Sequence, residues 1–306
     1  MSTSYHRGEI AVQELAGVRS QAILNGRAIS SVIPPPARPF VNQQSCVAIG
    51  WVDPSGDPWA SLAVGEPGFA SCDEAGTVVT IRRIDGAAQH GPFFDEMAAS
   101  DALGMLFIDL ATRRRLRVNG ISSSSTRFAL RIDVDQAYAN CPKYIQRRER
   151  VEATTPTPPG PISSGLGVPA HLRPWLSRTD TAFVTSVGPN GSVDCSHRGG
   201  RCGFIRMEGN AVLVPDYPGN SMFCSLGNIA VQPRAGLVLV DFDAQQQLHL
   251  SGDASLELAR ADQIDLTGGT GRWWKLTPRK WILSAMAHTT SWRLVEQSPF
   301  NPPSTP

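Results

Sequence analysis

The 306 residues carry 28 Lys and Arg against 27 Asp and Glu, a formal charge of +1, so no global field steers the chain onto nucleic acid or an anionic membrane surface. With 41% apolar and 18% charged residues, the composition is globular, excludes wholesale disorder and suits two domains of ordinary size. The six cysteines, Cys46, Cys72, Cys141, Cys195, Cys202 and Cys224, form no C-x-x-C pair, and a chain this long needs no disulfide framework, so reduced thiols and a cytoplasmic location are expected.

Met1–Ile10 is polar and lacks an apolar core followed by small residues, so no signal peptide is expected. No uninterrupted apolar stretch is long enough to span a bilayer. Glu9–Leu24 sets Val12, Leu15, Val18 and Ala22 on roughly one face, which predicts an amphipathic helix. Ser45–Phe69 holds an apolar run, the turn Asp53-Pro54-Ser55-Gly56 and a second strand. Proline fixes one φ and glycine supplies a positive one, as a tight hairpin requires. A short helix is predicted at Phe93–Ala102, and strands at Met105–Asp109 and Arg115–Val118. The run Arg113, Arg114, Arg115, Arg117 alternates along its strand and reads as a solvated face; Tyr144–Arg150 reads as a helix end carrying surface charge. Thr154–Gly167 is a Pro/Gly/Ser-rich linker.

Beyond the linker the same series recurs. Ser45–Phe69 lies over Asp180–Phe204 without a gap: Val52 meets Val187, Pro54 meets Pro189, Gly56 meets Gly191, Ser61 meets Ser196, and Gly68-Phe69 meets Gly203-Phe204. Gly104–Leu110 lies over Gly236–Phe242, and Asn119-Gly120 over Ser251-Gly252. A helix is predicted at Ser221–Ala230 and strands at Leu237–Asp241 and Gln247–Leu250. Short strands joined by hairpins, with few long helices, predict a mainly β chain with peripheral helices, folded as two small antiparallel barrels. The expected domains are residues 1–153 with the leading helix, the 154–167 linker, residues 168–297, and a disordered tail at 298–306.

The second copy runs Asp194-Cys195-Ser196-His197-Arg198-Gly199-Gly200, then Pro215-Asp216-Tyr217-Pro218-Gly219-Asn220-Ser221, Gly227-Asn228-Ile229 and Gln232-Pro233-Arg234. This order resembles the FMN-binding split barrel of the pyridoxamine 5′-phosphate oxidase superfamily, in particular a tandem-domain, flavin-nucleotide-binding subgroup. In that subgroup a string similar to Tyr138–Arg147 closes the first domain. The resemblance implies tandem split β-barrels forming a pseudo-dimer, with FMN in the groove between barrels and up to two nonequivalent sites. A phosphate favours backbone N–H groups, a helix N-terminus and cationic side chains. Tyr217, Gly219, Asn220 and Ser221 before a helix would supply the first two, with Asn220 able to cap the helix, and Arg198 and Arg234 the charge. Asp194, Ser196 and His197 would approach the ring; Asp216 and Asn228 complete the expected set. His197, whose ordinary pKa lies near working pH, is the candidate proton donor. Trp273, Trp274 or Trp281 would cover the ring.

The first copy has Arg82–Gly86 and His90–Phe94 where the second has its motifs, so its own site is expected to be altered or absent, and His90 reads as a loop histidine. The implied activity is a flavin-dependent oxidoreductase passing reducing equivalents from a small-molecule substrate such as NAD(P)H to an acceptor the sequence does not identify. The alternatives are a flavin carrier or sensor, or a barrel holding haem or a deazaflavin. Further homodimerisation is compatible with the fold. Ser196-His197 is not expected to form a nucleophile–base pair, because neighbours on a strand face opposite ways. The spacing of Cys195, His197, Cys202 and Cys224 matches no standard zinc site. Gly268–Gly271 lacks the Lys-Ser/Thr of a phosphate loop and reads as a turn.

Overall fold

The computed structural model describes residues 5–83, 93–126, 128–152, 160–262, 265–286 and 290–302; His90 lies outside them, as do residues 303–306 of the expected tail. The leading segment forms two helices, α1 (Arg7–Leu15) and α2 (Arg19–Gly26), and a short α3 (Arg38–Asn42) follows. The first sheet comprises β1 (Cys46–Val52), β2 (Pro58–Val64), β3 (Ala70–Cys72), β4 (Val78–Arg82), β5 (Ala102–Asp109), β6 (Arg114–Ser125) and β7 (Ala129–Asn140), with α4 (Phe94–Ala99) before β5. Then come β8 (Arg147–Glu152), β9 (Gly160–Leu166) and α5 (Leu172–Arg178). The second sheet comprises β10 (Thr181–Val187), β11 (Val193–Gly199), β12 (Arg206–Glu208), β13 (Ala211–Pro215), β14 (Arg234–Asp241), β15 (Gln246–Glu257) and β16 (Trp273–Ala285), with α6 (Cys224–Val231) before β14, and β17 (Thr290–Glu296) ends the series. Among the described residues no helix is long and apolar enough to cross a membrane.

The first sheet runs β2-β1-β5-β6-β7-β4-β3 and the second β11-β10-β14-β15-β16-β13-β12. These are one strand order written twice. Both opening hairpins close alike: Gly56 (φ +79°) and Gly191 (φ +83°) take the left-handed conformation their turns demand, with Gly56 N–H bonded to Asp53 O and Gly191 N–H to Gly188 O. The duplicated sequence therefore folds as tandem split β-barrels, with helices at the periphery.

Strand alternation explains how the barrels join. Val47, Ile49 and Phe107 point into the first barrel's own core. Their neighbours Ala48, Leu106 and Ile108 point the other way, into a third apolar cluster shared with Phe183, Cys195, Val238 and Val240 of the second barrel. With both faces covered, β1 and β2 read as nearly continuous buried runs rather than alternating ones. The contact is pseudo-twofold. A Cβ on Gly104 of β5 would lie 2.6 Å from Val193 O, and one on its counterpart Gly236 of β14 would lie 2.6 Å from Pro58 O. Gly50, whose counterpart is Thr185, packs on Thr185 itself, so a Cβ there would lie 2.3 Å from the threonine Oγ1. Reciprocal contacts at counterpart positions, with Gly50 meeting its own counterpart, mark a pseudo-dimer axis. Gly104→Ala and Gly236→Ala are each expected to lower stability by about 1–3 kcal/mol through overpacking against backbone that cannot yield. Urea midpoints test this, and unchanged midpoints for both would place the seam elsewhere.

Four expectations change. The single helix over Glu9–Leu24 is broken at Gly17 (φ +68°), where Gly17 N–H bonds Glu14 O and Val18 N–H bonds Gln13 O in a Schellman stop. Val12 and Ala22 stay buried, but Leu15 is 76% exposed. Part of the expected linker is a strand, since β9 pairs with β16. Tyr144–Arg150 is no helix end: β8 pairs with β17, and Arg148 is buried on Asp180 at 2.6 Å. The start of the tail is ordered, with Ser298 N–H donating to Gln146 Oε1 at 2.9 Å and Asn301 Nδ2 to the same oxygen at 3.0 Å.

Candidate functional site

On β6 the alternation brings Arg115, Arg117 and Asn119 to one face. On β11 it does the same for Asp194, Ser196 and Arg198. The pseudo-dimer sets these two faces against each other across the seam. Arg117, only 4% exposed, donates from Nη1 to Asp194 Oδ1 at 2.9 Å and to Tyr138 Oη at 3.0 Å, and from Nη2 to Ser196 Oγ. Asp194 also accepts from Asn119 Nδ2 at 2.7 Å and Asn228 Nδ2 at 2.8 Å. Burial works against the Arg117 charge, but Tyr138 and Asp194 more than offset it and hold its pKa above the ordinary arginine value. The network continues outward through Asn228 to His6 Nε2, 2.8 Å from Asn228 Oδ1. This lays α1 against α6, where a Cβ on Gly8 would lie 2.2 Å from Gly227 O.

Above this network lies a cavity of about 310 Å³, walled by β6, β7 and the Cys141–Tyr144 segment of the first barrel. From the second come β11, the 215–221 turn and the start of α6. Two half-buried arginines, Arg115 and Arg198, line it. Arg115 Nε donates to Cys141 O at 2.7 Å and Arg198 Nη1 to His197 O at 3.0 Å, but among the described residues neither has a carboxylate within ion-pair distance. Burial, with the like charges of Arg198 and Arg117 adding to it, pushes Arg115 down to about 10, so it stays cationic at neutral pH. Burial also lowers Arg198. Arg198 Nε, His197 Nε2 and Asn140 Nδ2 are buried atoms with no hydrogen-bond partner among the described residues. Cys224, Ser225 and Leu226, the first turn of α6, line the same cavity, and Phe223 at the N-cap gives this helix no side-chain cap. Guanidinium groups beside an uncapped helix N-terminus are the chemistry that favours an anion, although the Asp216 carboxylate in the same wall offsets part of the Arg198 charge.

Of the residues expected from the sequence, Ser196, His197, Arg198, Asp216, Tyr217, Gly219, Asn220 and Ser221 line the cavity. Asp194 stands behind it, holding Arg117, and Asn228 in turn holds Asp194. Arg234 is not brought there: it bonds Asp57 and Gly56 O beside a second groove of about 490 Å³ between the two hairpin turns. Asn220 does not cap α6; its Oδ1 accepts from Met222 N–H at 3.1 Å, and Asp216 is held by Arg272 Nε at 2.9 Å. His197 loses the rationale for a proton donor, because burial, reinforced by Arg115 and Arg198, pushes it well below its ordinary value and keeps it neutral. Ser196 Oγ is engaged by Arg117 and Ser225 rather than by His197. Trp273 and Trp274 are buried in the second barrel and Trp281 packs on His171, so none of them covers the cavity. Among the described residues no group of His, Cys, Asp and Glu is placed to hold a metal.

Sequence reasoning missed Arg115, Arg117, Tyr138, Asn140 and Tyr144. The available signal was the repeat. Where the first copy alternates Arg115, Arg117, Asn119, the second alternates Gln247, His249, Ser251. A face polar at the same places in both copies belongs to the seam.

That second alternation shows what became of the pseudo-equivalent site. Gln247 Oε1 accepts from Leu62 N–H at 2.7 Å and its Nε2 donates to Leu62 O at 3.0 Å. His249 Nδ1 lies 2.8 Å from Ala60 O and its Nε2 2.8 Å from Ser284 Oγ. Trp59 stands where Asp194 would be and Ala63 where Arg198 would be, and the Phe93 ring packs edge-on to His249 at 4.7 Å. At these positions the charges are gone and the Trp59 and Phe93 rings stand there instead; residues 84–92, which carry most of the first copy's motif positions, lie outside the described residues.

Burial depresses His249 to about 4 from an ordinary 6.5. Between these values the unfolded chain takes up a proton that the native chain refuses, so stability is full above the window and falls as pH falls through it. His249→Gln is expected to reduce this acid loss by on the order of 3 kcal/mol, read as the difference in urea midpoint between about pH 7 and about pH 4. His197, depressed in the same direction, leaves a residual slope.

The molecule is thus a tandem split-barrel protein with an arginine-lined cavity at one of two pseudo-equivalent positions on its seam. No protein-family model matches the chain, and no curated protein does. Among solved structures it is similar to HutZ, a heme storage protein of Vibrio cholerae, at 12% identity, over 37% of this chain and 92% of that one, with a TM-score of 0.28. It is also similar to an F420 reductase at 14% identity, over 40% and 98%, TM-score 0.26. A third similarity is to a pyridoxamine 5′-phosphate oxidase candidate from Lactobacillus delbrueckii at 10% identity, over 40% and 93%, TM-score 0.26.

Proposed function

We propose that the chain binds one FMN in the seam cavity and acts as a flavin-dependent oxidoreductase drawing on NAD(P)H. The observation that carries this reading is the pair Arg115 and Arg198, facing one cavity with no carboxylate in ion-pair contact among the described residues; Asp216 acts on Arg198 from beyond that distance and is itself held by Arg272. Guanidinium groups left unpaired in a partly dry wall are destabilising unless an anion completes them. Together with the uncapped α6 N-terminus they suit a phosphate dianion, and Asn140 Nδ2 and His197 Nε2 are further atoms awaiting partners. Bound FMN would supply hydride and electron transfer. The protein's part is to hold the anion with Arg115 and Arg198, keep Ser196 and Ser225 positioned through Arg117, and limit water with the walls of both barrels. A cytoplasmic location fits this reading.

The test is to titrate the purified chain with FMN and follow bleaching on addition of NAD(P)H. One flavin per chain, bleached by the nucleotide, is the expected result. Flavin bound but never reduced would leave a carrier or sensor, and no uptake would remove the proposal. One observation favours a second reading: the buried, unpartnered His197 Nε2 is a neutral imidazole able to ligate haem, with the arginines on its propionates. A Soret band after haem addition, in place of a flavin spectrum after FMN addition, would select it.

A further inference from the structure

Resting on the flavin reading, we propose that Tyr144 is the face on which the ligand's planar ring stacks. The Tyr144 and Tyr217 rings, one from each barrel, meet with centroids 4.8 Å apart at 40°, and Phe204 adjoins Tyr217 at 6.4 Å. All three line the cavity. Tyr144 Oη donates to Pro218 O at 3.0 Å, linking the two barrels beside the cavity.

The backbone shows that this ring is held there deliberately. Tyr144 has φ +67°, a left-handed conformation disfavoured for a bulky side chain. Three neighbours impose it. Ser298 Oγ accepts from Tyr144 N–H at 3.1 Å. Gln146 Nε2 donates to Tyr144 O at 3.0 Å, and Gln146 is itself fixed by Ser298 and Asn301. Gly199 leaves room for Tyr144 O, since a Cβ there would lie only 2.2 Å from that oxygen. A disfavoured conformation over-determined by its surroundings, at a half-buried residue outside every apolar core, belongs to a binding function rather than to packing. Gly199 follows Arg198 in the chain, so the aromatic wall adjoins one of the two cations. A ligand with an anionic group and a flat heteroaromatic ring can engage both.

The experiment compares wild type, Tyr144→Phe and Tyr144→Gly in the full chain, with FMN and inorganic phosphate as separate probes. Tyr144→Phe keeps the ring, so FMN affinity and quenching of bound-flavin emission are expected to match wild type. Tyr144→Gly is expected to weaken FMN by about 10–100-fold, the range of one aromatic stack, and to relieve the quenching. Glycine relieves this φ but loses the Pro218 hydrogen bond and the Tyr217 contact, so the empty-state midpoint is measured alongside, and stabilisation by phosphate, which has no ring, should be unchanged. Tyr144→Gly binding FMN as tightly and as darkly as wild type overturns the stacking role while leaving the flavin reading intact. A wild type that takes up no FMN overturns both.

Discussion

Asp194→Ala is expected to cost the fold about 3–5 kcal/mol, the range for breaking a buried ion pair by removing one partner. The loss exceeds that of one hydrogen bond because Asp194 satisfies three donors at once: Arg117, Asn119 and Asn228. Truncation leaves the Arg117 guanidinium in the seam with only Tyr138 and Ser196 hydroxyls for company. Since two of those donors come from the first barrel and one from α6, the defect falls on the junction rather than on either barrel. The unfolding transition should therefore shift to lower urea and broaden. Adding Arg117→Met to Asp194→Ala removes the stranded charge and should recover part of the loss, a coupling that a double-mutant cycle reads directly. A single variant within about 0.5 kcal/mol of wild type, the usual range for surface substitutions, would mean that the pair is solvated.

The fold was legible because duplication leaves two records of each element. Pro54 and Gly56 recur as Pro189 and Gly191, and the hairpins they close start both sheets. Gly104 and Gly236 were visible as counterparts, but not their reason, which is contact with the other barrel. The site was legible on one side only. The 215–221 turn carries its signal in local composition. Arg115 and Arg117 do not, because alternation with Leu116 and Val118 fits a solvated face as well as a seam, and only the partner barrel decides. Arg234 failed for the same reason, since its partner Asp57 lies in the other copy. Gly160–Leu166 looked like linker because glycine, proline and serine suit both connectors and added strands outside the main sheet path.

Arg198→Met should separate binding from stability in the opposite sense to Asp194→Ala. The guanidinium gives one hydrogen bond, to His197 O, and has no carboxylate within ion-pair distance among the described residues. Replacing it with an unbranched apolar side chain removes a charge that the empty protein does not need, so the urea midpoint without ligand should hold or rise. Ligand binding should suffer instead. Charge-assisted hydrogen bonds contribute about 1.5–3 kcal/mol each, so FMN affinity is expected to fall by about 10–150-fold. Phosphate should raise the wild-type midpoint by linkage and raise the variant's less. Arg115→Met should behave alike, and the pair together should lose more than either alone. If Arg198→Met instead destabilises the empty chain and leaves FMN affinity untouched, the arginine serves the fold. The unpaired cations would then cease to mark a binding site.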